Sequence, residues 1–166
     1  VYQHIADTGP AETSMEIGKA LVRHPLLKAA GFTGSLAGGR ALYDLACSRN
    51  EPIPFFAEMS SINPVIFLPE TLRLNAEKSA ALLSSSITVG SGQFCTNPGL
   101  IIAVEGEGLD RFINALSRSI EKTLPESMLN RNIADNYYRK LKHSLAQKGV
   151  RTESRSSAKE PSEAAS

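Results

Sequence analysis

Apolar residues recur along this chain in two alternating rhythms: short β-rich runs, and longer stretches with apolar positions three and four apart. Runs at 1–5 (VYQHI), 28–33 (KAAGFT), 55–58 (FFAE), 65–68 (VIFL) and 100–104 (LIIAV) predict strands. Between them, about 12–23 carries Met15, Ile17, Ala20 and Leu21 at helical spacing, and about 40–48 carries Ala41, Leu42, Leu45 and Ala46. The stretch 72–86 has a stripe through Leu72, Ala76, Ala80 and Leu83, and 109–123 has one through Phe112, Leu116 and Ile120. A more polar helix is predicted over about 134–147. Strand and helix alternate throughout, which predicts an α/β fold built on parallel strands.

Turn chemistry separates these elements. Pro25, Pro52 and Pro54 stop the first segments, a glycine-rich turn is predicted at 34–39, and 90–99 (GSGQFCTNPG) is a second turn-rich stretch. The last sixteen residues, RTESRSSAKEPSEAAS, hold no Val, Ile, Leu or aromatic residue. They cannot offset the entropy of ordering by burial, so the tail, 150–166, is expected to be disordered.

Composition narrows the class. The 166 residues carry 18 Lys+Arg against 17 Asp+Glu, a net charge of +1. That balance argues against nucleic acid or an anionic membrane as partner, since both favour a concentrated basic face. The longest apolar runs fall far short of the ~18–20 residues of a membrane-spanning helix, and no signal peptide opens the chain. Two cysteines, Cys47 and Cys95, make no disulfide framework, and no Cys/His group has metal-ligand spacing. A cytoplasmic protein without a metal is expected. The chain starts at Val1 in mid-strand, so it reads as a piece of something larger.

Three places can carry chemistry. A strand, glycine turn and helix at 34–39 can present backbone N–H groups to a phosphate, although G-x-x-x-G-G is neither of the standard nucleotide patterns, and tight packing alone would explain it. Glu58 ends an apolar strand, where partial desolvation would raise its pKa toward the range of a general base; a solvent-reaching acid is the blander reading. Cys95 sits among Gly, Gln, Asn and Pro, a setting few core positions need. Adjacent N–H groups in such a turn can stabilise a thiolate and the oxyanion formed when it attacks a carbonyl. Cys47, between Ala46 and Ser48 on an amphipathic helix, reads instead as a small buried hydrophobe. His4, His24 and His143 are scattered, so a carboxylate is a better base for Cys95 than an imidazole.

Together, Phe32-Thr33-Gly34-Ser35, then Glu58, then Gly92-Gln93-Phe94-Cys95 resemble the aldehyde dehydrogenase superfamily in order and approximate spacing. The stretches FTGSLAGGRALYDLA, SINP (Ser61–Pro64) and GQFCTNPG look like the branch that oxidises 2-ketoglutarate semialdehyde. The resemblance implies Cys95 as nucleophile and Glu58 as general base. It implies that Thr33, Gly34, Ser35 and Gly39, with Glu58, meet an NAD or NADP coenzyme. It further implies a Rossmann-like coenzyme-domain remnant over 1–57, the start of an α/β catalytic domain over 58–149, an aldehyde substrate, and a homo-oligomer when intact. A complete member is about three times longer, so the oxyanion-hole asparagine is expected upstream of this chain. Glu58-Met59-Ser60-Ser61 replaces the usual Glu-Leu-Gly-Gly, and Ser60 matters if that backbone needs a positive φ.

Two other functions compete with a working dehydrogenase. One is a truncated, silent relative acting as a folding or interaction module. The other is a coenzyme-free cysteine hydrolase using Cys95 and Glu58.

Overall fold

A computed structural model describes residues 15–124 and 126–156. The strand expected at 1–5, the start of the helix expected from 12, and the tail from 157 onward lie outside the described residues. The chain forms two compact units, Val1–Ser61 and Ile62–Ser166.

In the first unit, α1 (Glu16–Arg23) precedes β1 (Ala30–Thr33), α2 (Leu36–Cys47) and β2 (Phe55–Glu58). The strands pair in parallel, Ala30 beside Phe55 through to Thr33 beside Glu58, so α2 is the crossover that a parallel pair requires. Alternate side chains go to opposite faces. Phe32 and Phe55 turn inward, stacked at 6.5 Å between centroids, onto a core of Val22, Leu42, Ala46 and Ile53. The Arg49 guanidinium donates to the carbonyls of Val22 and Leu27 at 3.0 and 3.1 Å, closing the chain reversal after α1.

Two expectations are corrected here. The helix predicted from residue 40 begins at Leu36, because the Ser35 hydroxyl accepts the Gly38 N–H at 3.1 Å and caps it four residues early. Gly38 and Gly39 are therefore buried helical residues, and the turn is only Gly34-Ser35. In α1 the fully buried residue is Val22, with Met15 packed partly buried against the same core, while Ala20 and Leu21 are exposed, so only part of the stripe its spacing suggested faces inward.

The second unit repeats the crossover with a longer helix. Strand β3 (Pro64–Phe67) runs into α3 (Pro69–Thr88), a 3-10 turn at Val89–Gly92 follows, and β4 (Leu100–Ala103) pairs in parallel with β3. Helices α4 (Leu109–Glu121) and α5 (Arg131–Leu145) complete the unit. Proline at the first position of α3 costs no hydrogen bond, and Glu70 in its first turn suits the helix dipole. The expected stripe Leu72, Ala76, Ala80 and Leu83 is buried with Phe112, against the inward Val65, Phe67, Ile101 and Ala103. Phe67 and Phe112 meet at 4.9 Å between ring centroids. Gly108 opens α4 at φ 96°, with the Leu72 carbonyl oxygen 2.3 Å from where a Cβ would stand, so no other residue fits there. Helix α5 buries no residue, in line with its polar sequence, and residues 151–156 carry no helix or strand.

Among the described residues, each ladder is covered on one face only. The other presents Gly31, Thr33, Phe56 and Glu58 in the first unit, and Pro64, Ile66, Leu100 and Ile102 in the second. This asymmetry predicts opposite outcomes for two apolar substitutions. Leu72→Ala should lower stability by about 2–5 kcal/mol, because it empties a site that is 1% exposed. Ile66→Ser, at a position 65% exposed, should change it by no more than about 0.5 kcal/mol. Urea unfolding of both variants measures the difference.

Candidate active site

The residues expected to meet a coenzyme gather at one end of the first ladder. Thr33 and Glu58 are the last residues of β1 and β2 and are direct neighbours across the ladder, both on its exposed face. The Gly34 N–H donates to the Glu58 carbonyl at 3.0 Å, carrying the pairing one step beyond the strands. A Cβ at Gly34 would lie 2.7 Å from the Phe32 ring packed against the core, so any other residue there requires that ring to shift. Ser35 then caps α2, whose first-turn N–H groups at Leu36 and Ala37 have no carbonyl of their own helix to reach. Gly39 lies one turn further on, buried between Phe32 and Met59.

The carboxyl ends of parallel strands, next to a helix N-terminus, are where α/β folds bind phosphate-bearing ligands. The first-turn amides and Ser35 fit a dinucleotide phosphate, and Thr33 and Glu58 stand beside them. Among described non-glycine residues only Asn63 and Ser91 have positive φ, so Ser60 adopts no backbone that its side chain resists. The desolvation expected for Glu58 is absent in this chain: the period-2 alternation that buries Phe55 and Ala57 turns Phe56 and Glu58 outward.

Cys95 lies in the second unit, exposed, in the return from α3 to β4. The chain there bends through three left-handed residues, Gly90, Ser91 and Gly92, at φ 58°, 56° and 72°. Side-chain amides pin the segment around the cysteine. Asn63 Nδ2 donates to the Cys95 carbonyl at 2.7 Å and to the Asn97 carbonyl at 3.0 Å. Asn97 Nδ2 donates to the carbonyls of Ile87 and Val89, at 3.1 and 2.9 Å, closing the end of α3. Gln93 Oε1 accepts the Leu129 N–H at 2.9 Å, and the Ser91 hydroxyl donates to Glu126 at 2.7 Å.

Cys47 is a correction. As the last residue of α2 it is exposed and not buried. A hydrogen bond to Cys47, one turn on, is the main cause holding the Tyr43 phenol above its ordinary pKa. Exposure alone therefore does not separate the two thiols; the setting of Cys95 does. Sequence reasoning gave no role to Asn63 or Asn97. Their signal was an asparagine immediately before a proline at the mouth of a strand, twice.

The match to the aldehyde dehydrogenase family runs over residues 10–133, and the chain belongs to that family. It is 47% identical over 135 residues to an alpha-ketoglutaric semialdehyde dehydrogenase of Acinetobacter baylyi, covering 81% of this chain and 26% of that protein. It is 49% identical over 121 residues to alpha-ketoglutaric semialdehyde dehydrogenase 2 of Azospirillum brasilense, covering 73% of this chain and 23% of the relative. The chain thus spans about a quarter of the length of these curated relatives. Among solved structures, 1-pyrroline-5-carboxylate dehydrogenase from Thermus, with bound NAD, shares the fold at TM-score 0.56 and 21% identity, over 64% of this chain and 20% of that one. No helix among the described residues is long and apolar enough to cross a membrane.

The cap at Ser35 carries a direct expectation. Ser35→Ala leaves the Gly38 N–H without its acceptor and should cost about 1 kcal/mol of stability, within the ~0.5–2 kcal/mol typical of such caps. Thermal unfolding followed by circular dichroism measures it.

Proposed function

We propose that this chain supplies the nucleophile, the general base and part of the coenzyme surface of an enzyme that oxidises 2-ketoglutarate semialdehyde to the acid. Residues 1–57 are assigned to the end of the coenzyme-binding domain and 58–149 to the start of the catalytic domain. The observation that carries this reading is the exposed Cys95 thiol in a turn pinned by side-chain amides. The substrate rests on the two curated relatives, homo-oligomeric assembly on the family resemblance, and cytoplasmic location on the composition and cysteine usage of the sequence.

In this reading the Cys95 thiolate adds to the aldehyde carbon. The new S–C bond forms as the carbonyl pair moves to oxygen, and a backbone N–H in the turn shares that charge. When bound, an NAD or NADP coenzyme supplies a hydride acceptor. Thr33, Ser35 and the amides of Leu36 and Ala37 would hold it. Departure of the C–H pair leaves a thioester on Cys95. Glu58 then takes a proton from water, the water oxygen adds to the thioester carbon, and the S–C bond breaks to release the acid and restore the thiolate.

A second reading, a silent folding or interaction module, is favoured by the exposed sheet faces, with Phe56 at 70% and Ile66 at 65%. Acyl transfer separates the two without requiring coenzyme. With p-nitrophenyl acetate, Cys95 should be acylated in a stoichiometric burst and then slowly regenerated, and Cys95→Ala should abolish the burst. Glu58→Gln should slow regeneration by about 10²–10⁴-fold, the range of general-base effects, and leave acylation within about twofold. Mass spectrometry locates the acyl group. Labelling of Cys47 at the same rate as Cys95 would favour the silent module. The redox half is followed as semialdehyde-dependent absorbance of reduced NAD or NADP.

A further inference from the structure

We propose that Asn63 is a positioning residue for acyl chemistry at Cys95. It acts by fixing the peptide on the carbonyl side of the cysteine. The proposal rests on the reading of Cys95 as nucleophile and extends it to a residue of the neighbouring strand entrance.

Two peptide planes flank any residue, and both are held at Cys95. The Phe94 carbonyl accepts the Asn97 N–H at 3.1 Å, which fixes the plane containing the Cys95 N–H. The Cys95 carbonyl accepts Asn63 Nδ2 at 2.7 Å, which fixes the plane containing the Thr96 N–H. Asn63 uses the second hydrogen of the same carboxamide on the Asn97 carbonyl at 3.0 Å, so one side chain spans the turn from residue 95 to residue 97. Its own backbone is held at φ 44°, a conformation that costs a non-glycine residue free energy and that asparagine tolerates better than most. Anchoring is available on the spot, because the Ile62 carbonyl accepts the Gly99 N–H at 2.8 Å. The entrance to β3 thus grips the cysteine turn from one residue before the strand.

Held planes matter for one kind of reaction at this thiol. Attack on a carbonyl carbon builds an oxyanion, which needs N–H donors already aimed; displacement of iodide from iodoacetamide by the thiolate builds none. A residue that aims the turn's amides should therefore alter acylation and spare alkylation. A residue that merely keeps the loop folded should alter both alike.

The test compares the two rates at Cys95 in the 166-residue chain, with Cys47 as internal reference, across pH 6–9, roughly bracketing the ordinary thiol pKa. Asn63→Gly keeps the backbone freedom and removes the carboxamide. Asn63→Asp keeps the size and removes both donors. In each, acylation of Cys95 by p-nitrophenyl acetate should fall about tenfold or more, less than the ~10²–10³ of losing a whole oxyanion donor. Alkylation by iodoacetamide should stay within about twofold, and Cys47 should change in neither reaction. An acylation-to-alkylation ratio at wild-type level in both variants would overturn the proposal. So would loss of the far-UV circular dichroism in both, since Asn63 would then be a folding residue. If Cys95 in the wild-type chain is acylated no faster than Cys47, the nucleophile reading itself fails and takes the clamp with it. Faster acylation of Cys95 with an unchanged ratio refutes the clamp alone.

Discussion

Two strands that run the same way cannot be joined by a tight turn. The chain must leave the end of one, cross the face of the sheet and come back to the start of the next. Both units of this protein are organised by that requirement, with α2 between β1 and β2 and α3 between β3 and β4. The helix that makes the crossing also supplies the core, through Leu42 and Ala46 in one unit and Leu72, Ala76, Ala80 and Leu83 in the other. It also creates two irregular legs, one leaving the first strand and one entering the second. Much of the candidate chemistry lies on these legs, with Thr33 and Glu58 at the strand ends beside the first. Gly34 and Ser35 form the outgoing leg of the first crossover, and Cys95 lies on the return leg of the second.

The same requirement sets what each sheet exposes. A crossover helix covers one face, and parallel sheets are ordinarily covered on both. The uncovered faces differ in chemistry. In the first unit the face is mixed, with Thr33 and Glu58 side by side next to Phe56. In the second it is wholly apolar, with Pro64, Ile66, Leu100 and Ile102 in a contiguous block. The first can present polar groups to a ligand; the second offers only hydrophobic area, the kind of surface that packs against protein.

Much of this architecture is legible from periodicity. The α3 stripe is read residue for residue, because four positions at helical spacing all point to one core. The four strands among the described residues are found to within two residues. What escaped the reading was decided by hydrogen bonds and by short helices. Glycines at 38 and 39 suggest a turn, yet a single serine hydroxyl starts the helix before them. Cys47 has apolar company in sequence, but a helix's last residue is free to face water. Phe56 outward and Ala57 inward is the reverse of what size suggests, and that reversal carries Glu58 into solvent. In α1, only eight residues long, Val22 takes the buried place that Ala20 and Leu21 were expected to share with Met15. The longest amide links around Cys95 join residues thirty or more positions apart, Asn63 with Cys95 and Gln93 with Leu129, and an Asn-Pro pair marks the asparagine without naming its distant partner.

The asparagines that hold the cysteine turn share a sequence neighbour: Asn63 precedes Pro64 and Asn97 precedes Pro98. Asparagine ages chemically when the next residue's backbone nitrogen attacks the side-chain carboxamide, closing a succinimide ring and expelling ammonia. Proline nitrogen carries no hydrogen to surrender, so this ring closure is blocked at both positions. Conversion of either carboxamide to a carboxylate would delete donors and set negative charge against the carbonyls they now bridge. The prolines at the entrances to the two strands therefore also protect these two side chains from the usual route of deamidation over the lifetime of the protein.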